Sequence, residues 1–154
     1  MKGKKMVYMH SLLKTEQIRF LSARSKHEAL EELIQIISQS SHILDEKTFR
    51  KAVFERESIM STGIGLGIAI PHVKVKSVTD LTLAVGISKS GIEWGSLDGK
   101  PVYIIFLIAG SEDQHEQYLR ILSKIILVLK NENRLKKIIE AKDAQTIIDQ
   151  FQTV

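Results

Sequence analysis

The apolar positions in the first third of the chain follow the period of a helix in two stretches. Ser25 and Glu28 form a capping box ahead of the first apolar stripe, which predicts a helix over 25–38. That stripe consists of Ala29, Leu30, Leu33, Ile36 and Ile37. Asp45 is the N-cap of a second predicted helix, which ends near Glu57, where a glycine-rich stretch begins. Its apolar face consists of Phe49, Ala52 and Val53.

The middle of the chain has the patterns of strands. Residues 68–70 are a short apolar strand, and the proline that follows is expected to stop it. Residues 81–87 alternate between apolar and smaller or polar side chains, which predicts a strand with one buried face. A short strand over 92–94 and a turn at Asp98-Gly99 come next. Residues 102–109 are continuously apolar, as in a strand that is covered on both faces.

Three helices are predicted in the last third of the chain, over about 112–129, over 132–140 and after an N-cap at Asp143. Their inward-facing residues are predicted to be Leu119, Leu122, Ile125, Ile126 and Leu129 in the first, and Ile147, Ile148 and Phe151 in the last. Helices mixed with strands predict a single α/β domain over residues 1–154, with a central sheet flanked by helices. Residues 1–10 are expected to be a flexible basic N-terminus.

Composition and charge restrict the classes of function. The 154 residues are 44% hydrophobic and 26% charged, as in a globular protein, and they include no cysteine. The formal net charge of +4 is spread over small basic groups without interleaved aromatics, so we expect no nucleic-acid partner. No apolar run approaches the roughly 20 residues of a membrane span, and the basic start does not fit a signal peptide. We therefore expect a cytoplasmic protein that does not insert into a membrane.

The candidate chemistry is concentrated in residues 61–72, which read Ser-Thr-Gly-Ile-Gly-Leu-Gly-Ile-Ala-Ile-Pro-His. The proline places His72 at the end of a strand, and a histidine offers a neutral, nucleophilic nitrogen at cellular pH. The glycines can bring backbone N–H groups close to an anion, because no Cβ atom blocks the approach. Together these features predict a histidine that receives a phosphoryl group.

Arg56-Glu57, residues 61–65 and residues 67–72 resemble the EIIA domains of the fructose/mannitol type in the bacterial phosphoenolpyruvate-dependent sugar phosphotransferase system. The stand-alone nitrogen-regulatory branch is the most similar, and the resemblance covers nearly the whole chain. It implies a mixed sheet of about five strands flanked by helices, in a phosphotransferase component. It also implies that the small carrier HPr or its paralogue phosphorylates His72. The group then passes to a cysteine of an EIIB partner or remains as a regulatory mark.

The resemblance further implies that Arg56 lies close to the phosphoryl group. Its guanidinium is a planar, permanently charged fork that suits phosphate oxygens. Thr62 and the backbone amides of Gly63 and Gly65 are candidate neutral donors to the phosphate. His72 must hold one ring nitrogen as a donor, so that the other keeps its lone pair. Neither a metal nor a cofactor is required for this chemistry.

The chain departs from the family pattern at two positions. Most members have a second histidine at the start of the helix after the buried strand, where this chain has Tyr118. His115 lies three residues earlier on the same helix face. Either His115 or the hydroxyl of Tyr118 is therefore a candidate for the second site residue, and an exposed first-turn histidine is the alternative. Val73 stands where relatives often have glycine, which bears on how closely a partner can approach His72.

The remaining polar residues have simpler interpretations. His10, His27 and His42 share no metal-ligand spacing, so we interpret them as surface or structural residues and expect no metal. Trp94, the single tryptophan, is interpreted as a packing residue. Glu57 is expected to support the glycine-rich stretch or to pair with a nearby base.

Three functions remain open at this point. The first is a regulatory phosphoprotein that controls other proteins through the charge at His72, which the stand-alone length favours. The second is a sugar-specific phosphoryl carrier that needs an EIIB and a membrane EIIC. The third is an interaction module that kept the fold but lost efficient transfer because of Tyr118.

Overall fold

The computed structural model describes residues 9–152 and 154. Most of the expected flexible N-terminus, residues 1–8, lies outside the described residues. Helix α1 (Met9–Leu12) opens the described chain, and Met9 is fully buried. A 3-10 helix (Thr15–Gln17) follows and leads into strand β1 (Ile18–Phe20), which the sequence pattern did not predict.

The next two helices begin where their caps predict. Helix α2 (Lys26–Ile37) starts after Ser25, whose side chain accepts a hydrogen bond from the backbone N–H of Glu28. Helix α3 (Glu46–Ile59) starts after Asp45, whose carboxylate accepts from the N–H of Thr48. An N-cap side chain accepts a hydrogen bond from one of the free N–H groups of the first turn. The first residues of α2 and α3 could therefore be predicted from the sequence.

The remaining strands are β2 (Gly63–Gly65), β3 (Ile68–Ala69), β4 (His72–Lys74), β5 (Thr82–Ile92) and β6 (Val102–Gly110). The mixed sheet has six strands, where about five were expected, in the order β1-β5-β6-β3-β2, with β4 also paired to β6. Strand β5 is antiparallel to β6, whereas β3 and β4 both run parallel to β6. The chain does not leave the sheet at the proline, because β4 resumes pairing one residue later.

Strand β5 corrects two predictions. It continues to Ile92, so the separate short strand predicted over 92–94 does not exist. Residues 82–88 are buried on both faces instead of one. The small residues on its second face are not turned to water: Ala84 packs into the core beneath helix α2, and Gly86 lies against the side chain of Leu21. Small side chains are needed there because a helix packs closely on the sheet.

Helices α4 (His115–Leu129), α5 (Glu132–Ile139) and α6 (Ala144–Asp149) complete the fold. Helix α4 begins three residues later than expected, and its inward face is rotated. Leu119 is 47% exposed, whereas Tyr118 and Ile121 are buried. The apolar side chains of α4 form one broad face, so more than one inward stripe fits its sequence, and packing on the sheet selects one of them. Ile147, Ile148 and Phe151 are buried as predicted.

Two hydrophobic cores lie on opposite faces of the sheet. One contains residues of α4, α5 and α6, and the other contains residues of α2 and α3. Strand β6 contributes to both, as its continuous apolar run predicted. No helix in the described part of the chain is long and apolar enough to cross a membrane.

Candidate functional site

His72 is the first residue of β4 and lies half-buried on the sheet face that packs against α4. Its Nδ1 atom is 2.9 Å from the backbone carbonyl oxygen of Ile70. A carbonyl oxygen only accepts hydrogen bonds, so Nδ1 must carry the proton. The other ring nitrogen, Nε2, then keeps its lone pair. The fold therefore holds His72 in the tautomer with the proton on Nδ1 and a free lone pair on Nε2.

The surroundings of His72 favour its neutral form. Burial is the main cause that lowers the pKa of His72 below its usual value, and the positive charges of Arg56 and Lys74 lower it further. The Ile70 hydrogen bond and the carboxylate of Glu57 act in the opposite direction. Because the effects that lower the pKa of His72 are the larger ones, the ring is neutral at pH 7, and Nε2 has a free lone pair at that pH.

Tyr118 covers one side of the histidine ring. It lies in the first turn of α4, and its ring centroid is 4.9 Å from that of His72, with the planes tilted by 30°. Burial raises the pKa of Tyr118 to about 12, although the charge of Arg56 opposes the rise. The hydroxyl therefore keeps its proton at any pH near neutrality and remains a potential hydrogen-bond donor.

Lys74 and His115 form the edge of the same site. Lys74 lies two residues after His72 on β4, so both side chains lie on one face of the sheet. Its Nζ atom contacts Nδ1 of His115 and lies 5.2 Å from the centroid of the Tyr118 ring. His115 is exposed, with its ring centroid 6.3 Å from that of Tyr118. Both candidates for the second site residue are thus within reach of Lys74.

The sequence analysis did not select Lys74 as a site residue. The available signal was the strand period: a side chain two positions after His72 shares its face if the strand continues past the proline. That signal was missed because the strand was expected to end at the proline.

Arg56 reaches the site from the last turn of α3. It is half-buried, and its Nη1 atom donates a hydrogen bond to the carbonyl oxygen of Met60 at 3.2 Å. Its positive charge lowers the pKa of both His72 and Tyr118. The end of α3 therefore holds a permanent positive charge within electrostatic range of His72.

The glycines of the glycine-rich stretch have a structural role in a hairpin. Residues 63–69 form a hairpin, in which Gly65 and Gly67 take positive φ angles of 95° and 78° around Leu66, itself at φ 59°. These glycines are needed because side chains other than glycine rarely adopt that conformation. Gly63 lies against Ser96, where a Cβ atom would clash. Backbone geometry and close packing account for these glycines.

Two of the predicted phosphate donors are occupied. Thr62 is buried, and both its N–H and its hydroxyl donate to Oε1 of Glu57, at 3.0 and 3.1 Å. The N–H of Gly63 donates to the hydroxyl oxygen of Ser61 at 3.2 Å. Within the protein, these donors therefore bond to Glu57 and Ser61, and the prediction that Thr62, Gly63 and Gly65 donate to phosphate stays a prediction.

Glu57 and Trp94 behave as the sequence indicated. Glu57 supports Thr62 and also pairs with Lys26, whose Nζ atom is 2.7 Å from Oε1. Trp94 is buried, and its Nε1 donates to the hydroxyl oxygen of Thr62 at 3.3 Å. Val73 is buried in the core on the α2 and α3 side, so its side chain lies on the opposite sheet face from His72.

Two other histidines lie away from the site. His27 stacks on Phe54 with ring centroids 4.8 Å apart, and Nδ1 of His42 lies 3.0 Å from Oγ1 of Thr79. The side chain of His10 lies outside the described part of the structure. Within residues 9–152 and 154, the structure contains no group of three or more histidine, aspartate or glutamate side chains arranged to hold a metal ion.

Comparisons with known proteins place the chain among phosphotransferase components. The family described as phosphoenolpyruvate-dependent sugar phosphotransferase system, EIIA 2, matches residues 11–154. A nitrogen regulatory protein homolog of Haemophilus influenzae is 35% identical over 147 residues, which are 92% of this chain and 88% of that protein. The fructose-specific EIIABC component of Bacillus subtilis is 36% identical over 129 residues, which are 84% of this chain but 20% of that protein.

A solved structure agrees with these sequence comparisons. Nitrogen regulatory protein IIA-Ntr from Neisseria meningitidis superimposes with a TM-score of 0.85 at 26% identity, covering 93% of this chain and 98% of that chain. The two chains therefore share their fold over almost their whole length.

Proposed function

Because this chain belongs to the EIIA type 2 family of the phosphoenolpyruvate-dependent sugar phosphotransferase system, we propose that it is a phosphoryl carrier whose acceptor atom is Nε2 of His72. The observation that carries this proposal is the hydrogen bond from Nδ1 to the carbonyl of Ile70. It leaves a neutral nucleophilic nitrogen beside two cations, Arg56 and Lys74. The donor is HPr or its paralogue.

The transfer proceeds by displacement at phosphorus. The lone pair of Nε2 attacks the phosphoryl group while its bond to the donor breaks, and the electron pair leaves with the donor. Negative charge spreads over the phosphoryl oxygens, where Arg56 and Lys74 stabilise it. Nδ1 keeps its proton throughout and donates it in a hydrogen bond to the carbonyl oxygen of Ile70. That bond partly neutralises the positive charge that develops on the ring. The product phosphoramidate is reactive enough to pass the group onward.

The role that we favour is regulatory. Similarity to the nitrogen regulatory protein homolog extends over 88% of that protein, and the IIA-Ntr structure superimposes over almost its whole length. A phosphoryl group at His72 would reverse the local charge, which is a means of controlling a target protein. Localisation in the cytoplasm, where HPr is found, belongs to the same proposal.

The second candidate function is sugar-specific transfer to an EIIB cysteine, and it is supported by the similarity to the fructose-specific component. The two functions separate when the phosphorylated protein is mixed with fructose-type and mannitol-type EIIB domains. Rapid loss of the phosphoryl group to an EIIB cysteine would favour sugar uptake. Retention of the group would favour regulation.

The proposal is tested by phosphotransfer from phosphoenolpyruvate through enzyme I and HPr, or its nitrogen-type paralogue, followed by intact-mass measurement. We expect the wild-type chain to gain one acid-labile phosphoryl group. If neither carrier transfers a phosphoryl group, the third function, an interaction module without transfer, replaces this one.

Removing either site cation is expected to slow phosphorylation. Arg56→Met and Lys74→Met should each reduce the single-turnover rate on the order of tenfold to a hundredfold. Each variant lacks a positive charge that stabilises the negative charge developing on the phosphoryl oxygens. The matched control is Lys76→Met, an exposed lysine beyond the end of β4, which should keep the wild-type rate. A wild-type rate in Lys74→Met would remove that residue from the mechanism.

His115→Ala belongs in the same rate series. His115 contacts Lys74 but is exposed, so its removal tests whether it only holds the lysine or contributes to the site itself. A rate loss larger than that of Lys74→Met would show that His115 contributes to the site itself and would assign the second position to it. A rate near wild type would leave that position to Tyr118.

Phosphorylation is expected to depend on pH through His72. Only the neutral ring accepts, so the rate should fall as the pH decreases through the pKa of His72, which burial and two cations lower. The midpoint of the acid limb should therefore lie below the ordinary histidine value of about 6.5. His115 also faces this cluster, so the profile should be repeated in His115→Ala. A midpoint above 6.5 in both proteins would contradict the assigned environment.

A further inference from the structure

The carboxylate of Glu57 is buried, with its side chain 4% exposed. Its Oε1 atom takes three contacts, from the N–H and the hydroxyl of Thr62 and from Nζ of Lys26 at 2.7 Å. Its Oε2 atom is also buried and has no hydrogen-bond partner among the described residues. A buried carboxylate is costly unless it is paired, so its contacts with Lys26 and Thr62 are what allow it to stay there.

Thr62 connects this carboxylate to the histidine through backbone hydrogen bonds. The carbonyl oxygen of Thr62 accepts from the N–H of Ile70 at 3.0 Å. The carbonyl oxygen of Ile70 in turn accepts from Nδ1 of His72 at 2.9 Å. Three successive contacts therefore lead from the carboxylate of Glu57 to the imidazole ring.

The segment that contains Thr62 has little other support. Strand β2 lies at the end of the sheet, has three residues of which two are glycine, and pairs with β3 through an irregular register. Short, glycine-rich edge strands are weakly held by their own ladder. A fixed anchor on the neighbouring helix is therefore needed to hold Thr62, and with it Ile70, in place.

Glu57 and Thr62, which together form this anchor, also contact Lys26 and Trp94. The indole Nε1 of Trp94 donates to the hydroxyl oxygen of Thr62, and Nζ of Lys26 lies 5.3 Å from the indole centroid. Nζ of Lys26 also donates to the carbonyl oxygen of Trp94 at 3.2 Å. The anchor thus ties the start of α2 and the segment after β5 to the end of α3.

We propose that Glu57 is a positioning residue for phosphoryl acceptance, which acts through Thr62 and Ile70 to hold His72 in the tautomer and orientation that expose Nε2. The inference rests on the proposed function of His72, and it adds a residue that does not itself touch the phosphoryl group. If the Ile70 carbonyl moves, Nδ1 loses its acceptor, and the proton can then occupy either ring nitrogen.

The first test replaces Glu57 with alanine and measures two quantities. In Glu57→Ala, the ¹⁵N shifts of the His72 ring should move from a pure Nδ1–H form towards a mixture of tautomers. The single-turnover phosphorylation rate should fall on the order of tenfold or more, because small misplacements of a reacting group are costly. Unchanged ring shifts would overturn the proposal, whatever happens to the rate.

Glu55 provides the matched control on the same helix. It is exposed and pairs only loosely with Lys51, at 3.8 Å. Glu55→Ala should therefore leave the His72 ring shifts and the rate at their wild-type values. A shift of the His72 tautomer in Glu55→Ala as large as that in Glu57→Ala would show a general effect of helix charge and would overturn the proposal.

Glu57→Gln serves if the alanine variant does not fold. The amide oxygen can still accept from Thr62, so the Nδ1–H tautomer should be kept and most of the rate recovered. The lost carboxylate no longer raises the pKa of His72, so the NMR titration of the ring should shift to lower pH. Loss of the tautomer, or an unshifted titration, would count against the assigned geometry.

The tautomer measurement needs no phosphate donor, so it separates this inference from the proposed function. If wild type accepts no phosphoryl group but Glu57→Ala still changes the His72 tautomer, the proposed function fails while the positioning network stands. If wild type is phosphorylated and the tautomer does not respond to Glu57→Ala, the network fails and the carrier function stands.

Discussion

His72→Ala is expected to take up no phosphoryl group from phosphoenolpyruvate, enzyme I and HPr under conditions that fully phosphorylate the wild type. The variant removes the nucleophilic nitrogen, and no cation at the site can replace it as an acceptor. Intact mass before and after acid treatment measures the bound group, because a phosphoramidate is acid-labile. The loss of phosphorylation should be complete. His115 is not expected to replace His72, because its Nδ1 contacts Lys74 and has no backbone carbonyl among the described residues to hold a proton there.

The controls for this prediction are His27→Ala and His42→Ala, whose rings stack on Phe54 and bond to Thr79, away from the site. Both variants should be phosphorylated like the wild type. If His72→Ala still gains an acid-labile group, the acceptor is another histidine. The double variant His72→Ala/His115→Ala would then identify it.

Phe106→Ala should cause a large loss of stability. Phe106 is fully buried in β6, and its ring meets that of Phe151 edge-to-face with centroids 5.7 Å apart. Removing a buried phenylalanine side chain costs about 3–5 kcal/mol, because contact area is lost and a cavity remains. Urea unfolding should therefore show a lower midpoint with an unchanged slope.

Phe20→Ala is the matched control for stability. Phe20 lies at the end of β1 and is 38% exposed, with its ring beneath Nζ of Lys89. Its truncation should cost clearly less than that of Phe106, since much of its surface already faces water. Equal losses in the two variants would contradict the placement of Phe106 in the central core.

The residues of the candidate site were selected by two kinds of signal. His72 was selected by the local pattern of a short apolar segment followed by a proline, and Arg56 was selected by the resemblance to the EIIA family. Lys74 could not be identified without knowing that the strand resumes after the proline. The hydrogen-bond partners of Thr62 and Gly63 within the protein could not be predicted, because they depend on where Glu57 and Ser61 lie.

The order of residues was sufficient to predict the α/β class, the starts of α2 and α3, and the doubly buried strand β6. Each of these follows from a periodicity or from a side chain that bonds its own neighbours, so it needs no knowledge of distant contacts.

Long-range packing was needed to establish which stripe of α4 faces inward, how far β5 extends, and where the donors of the glycine-rich hairpin point. It also brought Tyr118 against the His72 ring, and Lys74 against Tyr118 and His115. These features depend on which apolar surfaces of the sheet each segment can cover. A local apolar pattern often fits more than one such arrangement. Packing between segments far apart in the chain selects among them, because only one arrangement buries the apolar surface and pairs the polar groups together.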